Sequence, residues 1–121
     1  MSFALVIDDN RQTADALVQM LAALDVFARP AYGAGPAMSI LGNATPRVVL
    51  LDINMPGVDG FEILAYLRRE PRLAAMPVIV VTSDDQPETK QRARIGGAHA
   101  VLIKPVTLER LEAALQQASI I

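Results

Sequence analysis

Asp8, Asp9, Asp52, Thr82 and Lys104 each stand at the end of a short apolar run: FALVI at 3–7, VVLL at 48–51, VIVV at 78–81 and AVLI at 100–103. If the runs are parallel strands, three acids, a hydroxyl and an ammonium meet at one edge of one sheet. Open α/β sheets form their ligand sites there, beyond the carboxyl ends of the strands. A carboxylate such as Asp52 can attack phosphorus to form an acyl phosphate. Such a transfer needs the equatorial oxygens neutralised and the reactants positioned. Lys104 supplies fixed positive charge, Thr82 a hydrogen-bond donor, and the backbone carbonyl of Asn54 can turn toward a metal.

Two carboxylates about 4 Å apart repel by about 4 kcal/mol at an effective dielectric near 20. Three of them weigh heavily against a net stability of about 5–15 kcal/mol. A cation or raised pKa values must offset that repulsion. An all-oxygen donor set with no histidine nearby points to Mg²⁺, which takes one or two carboxylates and keeps several waters. Taken singly, Asp8-Asp9 reads as a solvated strand end or helix cap, and Lys104 as a surface charge. Together they read as one site.

The elements that must position these groups are legible in the hydrophobic pattern. The apolar runs are rich in Val, Ile and Leu and do not alternate with polar residues, as expected of strands buried on both faces. Residues 11–25 place Ala14, Leu17, Leu21 and Leu24 at helical spacing. Residues 60–70 form a second helix with Phe61, Leu64 and Leu67 inward, Arg68, Arg69 and Glu70 outward, and a stop at Pro71. A helix over 87–95 begins at Pro87 and stops at Gly96-Gly97. The last helix has Thr107 as N-cap and buries Leu108, Leu111 and Leu115. Residues 26–32 suit an edge strand, because Pro30 lacks a ladder donor, and a short helix follows to Gly42. Met20, Met38 and Met76 read as core filler. The turn NMPGVDG (54–60) is suited to a tight loop beside Asp52.

At 121 residues the chain is about one domain long, and a single domain over 1–121 is expected. The hydrophobic fraction is 52% and net charge is −2, so neither a nucleic-acid groove nor a polybasic membrane patch is indicated. The absence of cysteine excludes disulfides, thiol catalysis and thiolate metal sites. MSFALVIDDN lacks a basic n-region and does not read as a signal peptide. No apolar stretch approaches the roughly 20 residues that cross a bilayer. A cytoplasmic protein is expected.

The chain resembles the receiver domains of two-component response regulators over essentially its whole length. The residues that carry the likeness are Asp8-Asp9, the run Asp52-Ile-Asn-Met-Pro-Gly-Val-Asp-Gly60, Thr82, and Lys104-Pro105. The resemblance implies a flavodoxin-like doubly wound sheet of five parallel strands in the order 2-1-3-4-5, with five helices. It implies Asp52 as phosphoacceptor, with Asp9, Asp52 and the Asn54 carbonyl on Mg²⁺ and Asp8 acting largely through water. Thr82 would move toward the phosphoryl group, Lys104 would contact it, and the Lys104-Pro105 bond would be cis. The implied partners are a histidine kinase or phosphotransfer protein, and a downstream protein or an output domain outside this sequence. Such a chain catalyses only its own phosphorylation and dephosphorylation.

The resemblance departs at Val101, which falls where the family has its switch Tyr or Phe. Valine has no ring to swing inward, so output is expected to rest on backbone shifts after Thr82 and in the fourth helix, or to be weak. Two other readings compete. A phosphohydrolase of the haloacid-dehalogenase kind needs an aspartate two residues after the nucleophile, where this chain has Asn54. A phosphorylation-independent interaction domain is favoured by Val101 and opposed by the intact acids. Nucleotide binding is not indicated, because neither a Walker A run nor G-x-G-x-x-G is present.

Overall fold

The computed structural model describes residues 2–121. Its elements run β1 (Ala4–Ile7), α1 (Arg11–Ala23), β2 (Ala28–Ala31), α2 (Ala34–Leu41), β3 (Val48–Asp52), β4 (Asn54–Met55), β5 (Val58–Asp59), α3 (Gly60–Arg69), β6 (Val78–Thr82), α4 (Pro87–Ile95), β7 (Ala100–Ile103) and α5 (Leu108–Gln117). Five strands form one parallel sheet in the order β2-β1-β3-β6-β7. Counting only these five, the order is 2-1-3-4-5, and the flavodoxin-like expectation holds. Every residue of β1, β3 and β6 is buried, which is why those runs carry no polar alternation. β2 pairs only with β1 and holds Pro30 at the sheet edge, where a missing donor costs little.

The pleat divides the strand residues between two cores. Leu5, Ile7, Val49, Leu51, Val78 and Val80 pack with Leu41 of α2, Ile63, Leu64 and Leu67 of α3, and Ala93 of α4. Ala4, Val6, Val48, Leu50, Ile79, Val81 and Leu102 pack with Leu17 and Leu21 of α1 and Leu111 and Leu115 of α5. Three helices therefore cover one face and two the other.

Three helices have side-chain N-caps, Thr107 being the one expected. Thr107 accepts from the backbone N–H of Arg110, and Asp59 from that of Phe61. Asn10, rather than either preceding acid, caps α1 by accepting from Thr13. Gly97, with φ of 101°, provides the left-handed turn after α4, whereas Gly96 remains helical.

Four details differ from expectation. Leu108 is 40% exposed, because it lies in the first turn of α5 and at the flank of the stripe formed by Leu111, Ala114 and Leu115. Met38 is exposed rather than core, since α2 buries Ala37 and Leu41 instead. Arg68 folds inward: its guanidinium donates to the carbonyls of Ala74, Met76 and Gly97, tying the loop before β6 to the turn after α4. The loop after Asp52 contains a hairpin, β4 against β5, turned by Pro56 and by Gly57 at φ 73°. Proline then glycine at the two central positions is what a type II turn requires.

Gly60 locks that hairpin to β3. A Cβ there would lie 2.3 Å from the Cα of Ile53, a backbone atom that cannot swing aside. Gly60→Ala is expected to cost about 3 kcal/mol, the upper part of the overpacking range. Gly35→Ala, where nothing lies within 4 Å, should leave stability unchanged or raise it by up to about 1 kcal/mol. Urea titration of both variants checks this, and equal midpoints would contradict it.

Candidate functional site

The register brings the strand ends together. Ile7 lies beside Leu51, so Asp8 and Asp52 follow side by side; Thr82 lies beside Ile103, so Lys104 follows on the neighbouring strand. Alternation sends Asp8, Asp52 and Lys104 toward the α1 and α5 face, continuing the rows of Val6, Leu50 and Leu102. Thr82 and Val101 continue the rows on the other face, beneath α4. The buried polar and charged side chains among the described residues are Asp8, Asp52 and Thr82. All three belong to the site read from the sequence.

Lys104 Nζ lies 3.1 Å from Asp8 Oδ2 and 3.4 Å from Asp52 Oδ2. It bridges the two buried acids from their open side. The second Asp52 oxygen accepts from the backbone N–H of Asn54 at 2.9 Å. Asp8 Oδ1 likewise accepts from the backbone N–H of Asn10 at 2.9 Å. Burial pushes the Asp52 carboxyl above its ordinary value, opposed by the Asn54 N–H and the Lys104 ammonium, while Asp8 pushes the same way as burial. The ionised form is thus poorly hydrated yet held by two donors.

Asp8, Asp9 and Asp52 each offer an oxygen within 4.8 Å of the others, with Asp9 exposed. One ammonium against three carboxylates leaves net negative charge facing solvent. This hard, all-oxygen set fits a divalent cation such as Mg²⁺. Asn54 lies at the rim, exposed. The Lys104-Pro105 bond is cis. A cavity of about 520 Å³ opens beside Lys104, lined by Thr13, Leu17, Met20, Ser83 and Val106. Val101 is half-buried and lines a cavity of about 240 Å³ with Arg94, His99 and Arg110.

Sequence reasoning missed three contacts. The Asn54 side chain, read only as a source of a carbonyl, donates from Nδ2 to Thr82 Oγ1 at 2.6 Å. Asp84 donates its backbone N–H to the same oxygen at 3.0 Å, and its carboxylate accepts from Thr89 Oγ1 at 2.5 Å. The first joins residues 28 apart in sequence, whose register no local pattern reveals; the other two are local, within the loop from β6 into α4.

Such a fold, with acids, hydroxyl and lysine at the strand ends, is that of a phosphoacceptor signalling domain. The family model of the response regulator receiver domain matches residues 4–116, and the chain belongs to that family. It is therefore a signalling domain of the two-component class. It is similar to protein PilH of Pseudomonas aeruginosa, 34% identical over 111 residues covering 92% of each chain. It also resembles a probable methanogenesis regulatory protein, FilR2, of Methanothrix harundinacea, 38% identical over 76 residues. That match covers 63% of this chain and 49% of the relative, so it spans about half the relative's length. A Burkholderia pseudomallei response regulator, solved with a phosphorylated aspartic acid, calcium ion and citrate, superposes with a TM-score of 0.85 at 28% identity. The match covers 98% of this chain and 69% of that one. No helix among the described residues is long and apolar enough to cross a membrane.

Proposed function

We propose that this chain accepts a phosphoryl group on Asp52 from the phosphohistidine of a histidine kinase or phosphotransfer protein. Phosphorylation then changes how one receiver unit, residues 1–121, binds a downstream protein or an output domain outside this sequence. The observation that carries the reading is Lys104 Nζ bridging the buried Asp8 and Asp52 carboxylates at 3.1 and 3.4 Å. The Burkholderia regulator, with its phosphorylated aspartic acid, supports it.

In the transfer, an Asp52 oxygen attacks phosphorus as the P–N bond to the donor imidazole breaks. The bonding electron pair stays with that ring nitrogen, giving a neutral imidazole when the other nitrogen carries a proton. Lys104 and the Thr82 hydroxyl contact the transferring oxygens, and Pro105 fixes the chain direction after Lys104. Asp9 and Asp52, with Asp8 beside them, would hold Mg²⁺, and the Asn54 carbonyl would complete the protein's share of its ligands. When bound, the ion supplies further neutralisation of the phosphoryl oxygens. Hydrolysis reverses the modification: water attacks phosphorus, the P–O bond to Asp52 breaks and the carboxylate is restored. The chain's only catalysis is on itself. The near-balanced charge favours protein binding over nucleic acid or membrane contact, and membership of the two-component class supports a cytoplasmic setting.

Incubation with acetyl phosphate, read by intact mass, tests the reading. One phosphoryl group added only with Mg²⁺ is expected; no adduct would favour a phosphorylation-independent interaction domain. Mg²⁺ alone, at about 100 times its dissociation constant, should stabilise the fold by about 2.7 kcal/mol. That is about 10 °C in Tm for a domain of this size. An unchanged melting curve at saturating Mg²⁺ would count against the acid pocket as a metal site.

A further inference from the structure

The outer stripe of α3 consists of Glu62, Ala65, Tyr66 and Arg69, which recur at i, i+3, i+4 and i+7. Glu62, Ala65 and Arg69 are exposed and Tyr66 is half-buried. A groove of about 240 Å³ runs beside the stripe, lined by Glu62, Tyr66 and Arg69, by Met38 of α2 and by Val58 of β5. Met38 is exposed there. Tyrosine, methionine and arginine are residues that protein interfaces concentrate. Asp59 also lines the groove, and it already faces Arg92 of α4 at 3.8 Å. Glu62 and Arg69 are in no ion pair among the described residues. Helix polarity accounts for an acid in the first turn and a base in the last. It does not account for both lying on one stripe, at opposite ends of an uncovered apolar groove.

We propose that this face binds a second copy of the chain, with α3 packed antiparallel on α3 across a two-fold axis. The order of the charges selects that occupant. Glu62 and Arg69 are seven residues apart, about 10 Å along the helix, and their midpoint falls between Ala65 and Tyr66. A two-fold axis through that midpoint exchanges the ends, so Glu62 of each copy meets Arg69 of the other. The same operation lays the Tyr66 ring of each copy against Ala65 of the other, a large side chain over a small one. Charge and size therefore complement each other under a single symmetry operation. A parallel pairing would instead set Glu62 against Glu62 and Arg69 against Arg69. The pairing does not depend on phosphorylation of Asp52.

The test is sedimentation equilibrium of the full chain from about 1 µM to about 1 mM, the span of weak association. The wild-type mass should rise with concentration from 13.0 kDa toward twice that value. Glu62→Arg should weaken the dimer by about tenfold, because two symmetry-related pairs turn repulsive at once. Arg69→Glu should do the same. Both substitutions in one chain should restore the wild-type dissociation constant, since each end again faces its opposite. Ala65→Arg, at an exposed helix position, should leave a folded monomer, because it fills the space for the partner ring. A wild type that stays at 13.0 kDa throughout overturns the proposal. So does a dimer that Glu62→Arg and Ala65→Arg leave intact, which would lie on another face. A double variant that stays as weak as the single ones overturns the antiparallel pairing.

Discussion

Replacing Asp52 with asparagine is expected to reduce phosphoryl uptake from acetyl phosphate to background while raising stability in metal-free buffer. Asparagine keeps an oxygen for the Asn54 N–H but has no carboxylate to attack phosphorus. The stability gain follows from linkage. Burial holds the Asp52 pKa above its ordinary value of 3.8. The folded state therefore binds more protons than the unfolded state between those two values, and stability falls as pH rises through that window. Asp52→Asn removes the penalty. Its Tm advantage should be full above the folded pKa, shrink on acidification, and vanish near 3.8. Melting curves of both proteins from neutral pH downward check this. Labelling at the wild-type level, or an advantage that grows on acidification, would contradict it.

Lys104→Ala is expected to slow phosphorylation by about 10²–10³-fold. That is the effect of removing one donor aimed at developing oxyanion charge, or about 2.7–4 kcal/mol of barrier. With Mg²⁺ present to balance the two acids, the effect on folding should be smaller, about 1 kcal/mol, since Lys104 is itself partly exposed. Lys104 bridges Asp8 and Asp52, and each acid keeps a backbone N–H donor after its loss. Its own desolvation is relieved at the same time. The barrier effect therefore exceeds the stability effect, and rates of acetyl phosphate labelling beside urea midpoints separate the two. A variant that fails to fold would make Lys104 structural; one labelled at the normal rate would remove it from the chemistry.

The site was legible because strands buried on both faces display as uninterrupted Val, Ile and Leu runs, so their ends stand out in the chain. Asp8, Asp52, Thr82 and Lys104 each follow such a run directly. Asn54 was legible as a turn residue and not as the donor to Thr82, since that contact joins residues far apart in sequence. Its direction is set by a hairpin whose strands are two residues each, too short for any periodicity to show. Arg68 read as outward because charge usually faces water. It turns inward because the loop before β6 and the turn after α4 expose carbonyls that a long guanidinium reaches. Leu108 shows the limit of a helical stripe: spacing gives a face, but not whether a neighbour covers its first turn. Val101 was visible as a departure, whereas the hydrogen bonds running from Thr82 toward α4 needed the fold.

The most direct test of the account is to locate the phosphoryl group. The protein is phosphorylated with acetyl phosphate and Mg²⁺, and the acyl phosphate is reduced with borohydride, which turns a phosphorylated aspartate into homoserine. Peptide mapping by mass spectrometry then reads the position. The account predicts homoserine at residue 52 alone, dependent on Mg²⁺. Homoserine at another aspartate, or none in a protein that carries the phosphoryl group, would contradict it.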